Sequence, residues 1–205
     1  MDASFALRAL ALALGLAIPL GGCTSINARM GDGLPAEKLA ADNKAIVLLH
    51  TSLHEQRCDR IIATLAQQDE SGRWVRGEDV TLKGMLDLRK LPAQIVLPAG
   101  EYGISELACH AYKRIHTYHA RIAERGSIWT GSGRVYERPF ATFKVSAGEV
   151  VDIGSVRVPL ARNGFVAVVT PIPEAWLATL AEENPSLHST RILRPMTAAV
   201  RVSSR

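Results

Sequence analysis

Short apolar runs separated by polar turns fill the chain between Ala45 and Thr170. Ala45 to Leu49 is continuously apolar, which is typical of a buried strand, whereas Ala93, Ile95 and Leu97 alternate as a half-buried strand does. The other strand-like stretches are Ile61 to Leu65, Trp74 to Val75, Val80 to Leu88, Tyr112 to Ile122, Ile128 to Tyr136, Phe140 to Val145, Val150 to Val158 and Phe165 to Thr170. Because no helical period separates these strands, the pattern predicts a mainly β fold, an antiparallel β-sandwich.

Glycine-containing turns join several of the predicted strands. Ser71-Gly72 lies at the tip of a polar turn and predicts a β-hairpin between Ile61 to Leu65 and Trp74. Two longer segments contain the same Ala-Gly-Glu turn sequence. They are Leu97-Pro98-Ala99-Gly100-Glu101-Tyr102 and Phe143-Lys144-Val145-Ser146-Ala147-Gly148-Glu149-Val150. These paired segments resemble the turn signatures of prealbumin-like (transthyretin-like) domains of bacterial envelope proteins. The resemblance implies a prealbumin-like sandwich.

The hydrophobic period becomes helical at both ends of the predicted sandwich. Leu34 to Ala41 forms one or two helical turns with Pro35 in the first turn, where its missing N–H costs nothing. Trp176, Leu177 and Leu180 stand at helical spacing, and Asn184 is expected to cap a further turn that Pro185 begins. The sequence therefore predicts a short N-terminal helix and a small C-terminal helical element at residues 173–194, which lies over one end or face of the sandwich. Residues 197–205 are predicted to be a tail or an edge strand.

The start of the chain has the layout of a secretory signal peptide. Arg8 precedes an apolar run of 12 residues from Ala9 to Leu20. This run is shorter than the about 20 residues that a transmembrane helix needs, so the better interpretation is a cleaved signal over residues 1–22. It ends in Leu20-Gly21-Gly22-Cys23, which resembles the lipobox of bacterial lipoproteins. The alternatives are an uncleaved N-terminal anchor and a chance cysteine after an ordinary export signal.

The lipobox resemblance implies both a cellular location and a lipid anchor. In that family the signal is cut before the cysteine, so Cys23 would carry a thioether-linked diacylglyceryl group and an N-acyl chain, which together bind a bilayer stably. Thr24 in place of Asp implies the outer membrane, with the protein facing the periplasm. Residues 23–33 then form a lipidated tether, and residues 34–196 form a single β-sandwich domain.

Composition sets further limits on function. Removal of residues 1–22 leaves 183 of the 205 residues, which is enough chain for one domain with a sizeable core. The formal net charge is +4, and the basic residues are spread along the sequence, which does not indicate a nucleic-acid binder. The predicted contacts are the membrane, through the lipid, and an envelope protein of unknown identity.

Cys58 and Cys109 remain once Cys23 is assigned to the lipid. An even number of cysteines in an exported chain predicts a disulfide, here closing a loop with a sequence separation of 51 residues. Two free, buried cysteines are the alternative.

Histidines and cysteines gather in two groups, which are His50, His54 and Cys58, and Cys109, His110, His116 and His119. Nitrogen and sulfur ligands of this kind suit zinc or copper, and on a helix the first three residues would share a face. In a strand, however, His50 and His54 would lie about 13 Å apart at roughly 3.3 Å per residue, too far to share an ion. The pattern therefore favours a disulfide and ordinary surface histidines over a metal site.

The richest aromatic stretch holds Tyr112, Tyr118, Trp129 and Tyr136, interleaved with lysine and arginine. A sugar or a peptide could stack on such rings, because they combine apolar area with a polar tip. The alternation of residues favours a second interpretation, in which one face of a sheet packs in the core and the other carries arginine and tyrosine.

Motifs of catalysis are missing from the sequence: there is no nucleophile elbow, phosphate loop, dinucleotide fingerprint or paired-histidine metalloprotease helix. We therefore expect no enzyme activity and no cofactor. The predicted function is that of an outer-membrane lipoprotein that acts as a non-enzymatic binding or assembly module of the cell envelope. The alternatives are a metal- or small-ligand-binding periplasmic lipoprotein and an uncharacterised hydrolase.

Overall fold

A computed structural model describes residues 36–55, 57–84, 90–127, 132–157, 160–161, 164–165 and 167–199. The helices are α1 (Ala36–Ala41), α2 (Glu174–Glu183) and α3 (Pro185–Thr190). The strands are β1 (Lys44–Thr51), β2 (Arg60–Gln68), β3 (Trp74–Lys83), β4 (Ala93–Pro98), β5 (Gly100–Ala111), β6 (Arg114–His119), β7 (Arg121–Glu124), β8 (Val135–Arg138), β9 (Ala141–Val145), β10 (Val150–Arg157), β11 (Leu160–Ala161), β12 (Gly164–Phe165), β13 (Val168–Thr170), β14 (Ile192–Leu193) and β15 (Thr197–Ala198). A 3₁₀ turn, Ser52–Glu55, follows β1. The prediction of a mainly β fold is confirmed.

The first sheet has the strand order β13-β10-β1-β4, and β14 also pairs with β10. β1 runs antiparallel to β4 but parallel to β10, with Ile46 opposite Val150. The prediction of an entirely antiparallel fold was therefore wrong for this sheet, which is mixed. The physical reason lies in the apolar run of β1, which is buried on both faces and occupies the middle of the sheet, as strands with a parallel partner usually do.

The second sheet is antiparallel and has eight strands in the order β15-β9-β5-β2-β3-β8-β7, with β6 paired to β5. The long strand β5 changes partner along its length, because its first half pairs with β9 and its second half with β6. The predicted hairpin around Ser71-Gly72 is present, since Gln68 pairs with Trp74 across its base.

The predicted strand from Tyr112 to Ile122 is divided in two. Tyr112 and Lys113 form the turn between β5 and β6, and β6 ends before Ala120, whose N–H donates to the Ser105 carbonyl at 2.7 Å. β7 then leaves β5 and pairs with β8. Apolar periodicity does not mark this break, because a strand can change partner without a change in the pattern of its side chains.

Two hydrophobic clusters cover the two faces of the first sheet. One lies between the sheets and includes Val47, Leu49 and Ile153 together with side chains of β2, β5 and β9. The other includes Ile46 and Leu48 and packs against the helices through Leu39, Leu177, Leu180 and Leu187. The small C-terminal helical element, α2 and α3, therefore lies over the outer face of the first sheet.

The caps and ends of this helical element also follow the sequence. The Asn184 side-chain oxygen accepts a hydrogen bond from the Leu187 N–H at 3.3 Å, at the start of α3. The chain after α3 forms two short edge strands: β14 runs parallel to β10, and β15 pairs with β9. The tail beyond residue 199 lies outside the described residues. Among the described helices, none is long and apolar enough to cross a membrane.

The two Ala-Gly-Glu turns that stand out in the sequence carry the chain from one sheet to the other. The first joins β4 to β5, and the second joins β9 to β10. Both lie against the end of α1: the Ala99 N–H donates to the Asn43 carbonyl at 2.9 Å, and the Gly148 N–H donates to the Lys44 carbonyl at 2.8 Å. Gly148 has φ of +82°, and a Cβ there would lie 3.1 Å from Ala40 Cβ. The two turns therefore connect the sheets at the same end of the molecule.

Candidate functional site

The predicted site residues divide into those that the structure describes and those that it does not. Cys23 and Trp129 lie outside the described residues, as does the side chain of His54. The remaining candidates lie in three separate places, which are the end of the β5–β6 hairpin, the region of β5 near β8, and the face of the first sheet beneath the helices.

Cys58 and Cys109 form a disulfide, with their Cα atoms 5.3 Å apart. Cys109 belongs to β5, and Cys58 lies just before β2, which is the neighbour of β5. Both cysteines are buried at 2 % exposure. The disulfide removes their sulfur atoms from any set of metal ligands.

The histidines are dispersed. His50 is buried in β1, where its Nδ1 lies 2.7 Å from Ser155 Oγ and its ring meets the Trp176 ring edge-on at 4.5 Å. His110 and His116 lie on the β5–β6 hairpin, and His119 lies beside Glu106. Within the described part of the chain, no three His, Cys, Asp or Glu side chains come close enough to hold a metal ion.

The aromatic candidates do not share one surface. Tyr112 is 90 % exposed, whereas Tyr136 is 2 % exposed. Tyr118 is partly buried and packs against the core between the sheets. Tyr136 therefore contributes to the interior of the protein, and Tyr112 is the described member of this group that a partner can reach directly.

A buried charge cluster surrounds Glu106 of β5. The Tyr136 hydroxyl donates to Glu106 Oε1 at 2.5 Å, and Arg134 forms an ion pair with the same oxygen. His119 Nδ1 lies 3.4 Å away from it. The glutamate side chain is 10 % exposed and that of Arg134 is 20 % exposed, so water screens this pair only weakly.

The pKa values of the cluster reflect its hydrogen bonds. Burial alone raises the pKa of Glu106, but the nearby His119 and the hydrogen bonds from Tyr136 and Arg134 outweigh it and lower that pKa to about 2. Burial and the hydrogen bond to Glu106 raise the pKa of Tyr136 to about 12. At neutral pH the cluster therefore holds an ionised carboxylate and a neutral phenol.

Polar contacts continue from this cluster across the sheet. Thr64 of β2 lies opposite Glu106, and its hydroxyl donates to Asp79 Oδ1 at 2.6 Å. Arg76 in turn donates to both oxygens of Asp79 at 2.7 Å. The carboxylates of Glu106 and Asp79 are both engaged with other side chains. Their contacts connect strands β2, β3, β5 and β8.

A second buried polar group lies between the first sheet and the helices. β10 carries one extra residue relative to β1 near Gly154, and this irregularity sets Asp152 opposite Leu48 and Ser155 opposite His50. Burial raises the pKa of Asp152, although the Gly154 N–H donates to its Oδ1 at 2.9 Å and Arg191 Nε lies 3.8 Å from its Oδ2.

This serine, histidine and aspartate do not make a hydrolase site as they stand. His50, Asp152 and Ser155 are each no more than 3 % exposed, so a substrate has no access to the serine oxygen. The group instead ties the first sheet to the helical layer.

The end of the β5–β6 hairpin is the most exposed feature among the candidates. Every residue from Tyr112 to Thr117 is exposed. The Tyr112 N–H donates to Asp59 Oδ2 at 2.6 Å, and the Asp59 N–H donates to the His110 carbonyl at 2.7 Å. The segment before β2, which holds Arg57 and Cys58, therefore lies against the hairpin.

Sequence reasoning did not single out Glu106 or Asp152, although each had a signal. Glu106 interrupts the apolar series from Tyr102 to Cys109, and Asp152 interrupts Val150 to Ile153. A carboxylate inside a strand that is otherwise apolar predicts a buried charge with a partner. The partner itself cannot be read from the series, because Arg134 and Arg191 are distant in sequence.

No family model, curated protein sequence or solved structure matches this chain.

Proposed function

We propose that the protein is an exported lipoprotein, held in the outer membrane by a lipid on Cys23 and facing the periplasm, where it acts as a non-enzymatic binding or assembly module of the envelope. The folded body is proposed to be a prealbumin-like sandwich built from the two sheets. The single observation that carries this proposal is the disulfide between Cys58 and Cys109. Disulfides persist in oxidising compartments outside the cytosol.

The disulfide also supports a separate role for Cys23. With Cys58 and Cys109 joined to each other, Cys23 is the remaining cysteine of the three in the chain. It stands 13 positions before Ala36, the first residue of α1. A chain of that length reaches at most about 45 Å when fully extended, so a lipid on Cys23 would keep the body near the bilayer.

A binding role fits the places where the polar groups lie. The carboxylates of Glu106 and Asp152 are buried and engaged with other side chains or with backbone N–H groups. The exposed tip of the β5–β6 hairpin offers charge and apolar area instead, which are features of a contact surface. The metal-binding alternative loses both of its sulfur ligands to the disulfide.

The test is the chemical state of the N-terminus after expression in a Gram-negative host. We expect the mature protein to begin at Cys23, to carry the mass of a diacylglyceryl group with an N-acyl chain, and to fractionate with outer membranes. Cys23→Ala should abolish the lipid and the membrane association. The double variant Cys58→Ala with Cys109→Ala is the matched control and should retain both. An unmodified Cys23, or a mature chain that begins at Met1, would contradict the proposal.

A further inference from the structure

We propose that the tip of the β5–β6 hairpin, Tyr112 to Ile115, binds an anionic bilayer by placing its tyrosine and isoleucine among the lipid headgroups. This inference deepens the proposed function and rests on it for the compartment, because it names the partner of the exposed surface. The binding itself is argued from the tip alone.

The first observation is the exposure of apolar side chains at the end of a hairpin. Tyr112 is 90 % exposed and Ile115 is 64 % exposed. They flank two cations, Lys113 and Arg114, and the Lys113 ammonium lies 5.3 Å from the centroid of the Tyr112 ring. Tyrosine has an apolar body and a polar end, which suits the boundary between hydrocarbon and water.

The second observation is the backbone of Tyr112. Its φ is +41°, a region that bulky residues rarely adopt and that glycine adopts freely. The N–H of this residue is fixed by Asp59 Oδ2 at 2.6 Å. A strained conformation persists where the surrounding structure enforces it, so the exposed Tyr112 ring is presented from a fixed backbone.

The third observation is the charge around the tip. Asp59 and its neighbours lie against the hairpin, so Arg57 and Arg60 are brought to the same end as Lys113 and Arg114. All four belong to exposed residues, and the Arg60 guanidinium donates to Thr81 Oγ1 of β3 at 3.3 Å, so Arg57, Lys113 and Arg114 are the basic residues nearer the tip. Asp59, whose carboxylate accepts from the Tyr112 N–H, is one acidic residue beside these four basic ones, so the end of the hairpin carries an excess of basic side chains around an apolar tip. Each lysine or arginine near an anionic bilayer strengthens binding by about fivefold.

The disulfide gives this surface a fixed shape. Cys109 lies two residues before Ala111, the last residue of β5, and its bond to Cys58 holds the segment of Arg57 to Arg60 beside the hairpin. The cations and the tip are therefore held in place before they meet a surface. Binding then costs little conformational entropy.

An acidic peptide that adds a strand along β6 is the rival partner. Acidic side chains of such a peptide would meet Arg114, but a strand added along the backbone of β6 would leave the ring of Tyr112, which lies in the turn before β6, uncovered. The apolar side chains are instead at the tip, Tyr112 and Ile115, where a bilayer would meet them. The position of the apolar residues therefore favours the lipid surface.

The test uses the chain from Thr24 to Arg205, which holds every residue that the structure describes and has no Cys23. It is sedimented with vesicles of phosphatidylglycerol and phosphatidylcholine in equal parts, and with vesicles of phosphatidylcholine alone. We expect binding to the anionic vesicles, weakened by salt, and little binding to the neutral ones. Because this chain cannot be lipidated, the result does not depend on the fate of Cys23.

Two variants and a matched control locate the surface. Tyr112→Gly should weaken vesicle binding by about tenfold through lost apolar area, while its urea unfolding midpoint stays the same or rises, because glycine relieves the positive φ. Lys113→Glu should weaken binding by at least about fivefold. Lys144→Glu makes the same charge change at an exposed position of β9, away from the hairpin, and should have no comparable effect.

Several results would overturn the inference. These are equal binding to both kinds of vesicle, vesicle binding by Tyr112→Gly equal to that of the unaltered chain, and an equal loss in Lys113→Glu and Lys144→Glu. Binding to polyglutamate without binding to anionic vesicles would also overturn it, and would point to the acidic peptide. A lipidated Cys23 together with any of these results would leave the lipoprotein proposal intact and remove only the role of the tip.

Discussion

Glu106 and Asp152 are both buried carboxylates, yet their surroundings shift their pKa values in opposite directions. Glu106 accepts hydrogen bonds from Tyr136 and Arg134, and His119 Nδ1 lies 3.4 Å from it; all three interactions favour its charged form. Asp152 has one backbone hydrogen bond, and Arg191 lies 3.8 Å away, so burial dominates and favours its neutral form. Because both groups are buried, the number and closeness of their donors decide the direction in which each pKa is shifted.

Glu106→Gln should destabilise the protein by about 3 kcal/mol at neutral pH, because it leaves Arg134 charged and partly buried without its counterion. The pKa of Glu106 is lowered from 4.5 to about 2 on folding, so its contribution is complete above 4.5 and is lost as pH falls toward 2. Urea unfolding as a function of pH measures both effects, and the variant should lose this acid dependence.

Glu124→Gln is the control for that change. Glu124 pairs with Arg73 at 3.5 Å, and both side chains are more than half exposed. We expect a loss of at most about 0.5 kcal/mol, as for other exposed pairs. Equal effects of the two substitutions would contradict the role given to the Glu106 cluster.

Asp152→Asn should make the protein more stable than the unaltered chain at neutral pH. The pKa of Asp152 is raised above 3.8 on folding, so its contribution is present in acid and is lost as pH rises through the folded pKa. Asparagine keeps an oxygen to accept the Gly154 N–H and carries no charge. Unfolding in urea at acidic and at neutral pH should show a gain that appears only at the higher pH.

Asp42→Asn, at an exposed position after α1, is the control for that comparison and should show no such gain. A variant of Asp152 that is less stable than the unaltered chain at neutral pH would mean that Arg191 compensates the charge. At the residue scale, then, the sequence marks where a buried charge lies, but it does not identify the partners that set its pKa.

At the scale of elements, local signals predicted local structure. The β2–β3 hairpin, the Asn184 cap and the Pro185 turn depend on residues within a few positions of one another, and all three are present. The parallel pairing of β1 with β10 joins residues about a hundred positions apart, and no local pattern indicates it. The break between β6 and β7 was missed for the same reason, because a change of strand partner leaves the periodicity intact.

The disulfide is an element that joins such distant parts. Replacement of Cys58 and Cys109 by alanine should lower the free energy of unfolding by up to about 4 kcal/mol, because the bond constrains a loop of 51 residues in the unfolded chain. Urea unfolding with and without reductant measures the effect. Reductant should destabilise the unaltered protein and leave the double variant unchanged, and a reductant effect of equal size on both would contradict this role.

At the scale of the whole molecule, β5 separates two proposed points of membrane contact. Its 12 residues span about 36 Å, with the end of α1 beside Gly100 and the exposed tip just beyond Ala111. A fully extended tether from Cys23 reaches about 45 Å, which is longer than this span, so a lipid on Cys23 and the hairpin tip can meet the same bilayer. The sequence predicts the anchor and marks Tyr112 as a candidate contact residue, but not its position at an exposed tip, because exposure at a hairpin end depends on which strands pair.

The parallel pairing of β1 with β10 also sets the order in which the protein can fold. β1 occupies the middle of the first sheet, between β4 and β10, and the Ile46 N–H donates to the Glu149 carbonyl, just before β10, at 2.9 Å. The β2–β3 hairpin and the Cys58–Cys109 loop close within the first 111 residues, before that partner is available. Pairing across so long a loop is slow. When the chain emerges with its N-terminus first, the apolar strand β1 therefore stays partly exposed until β10 has also emerged.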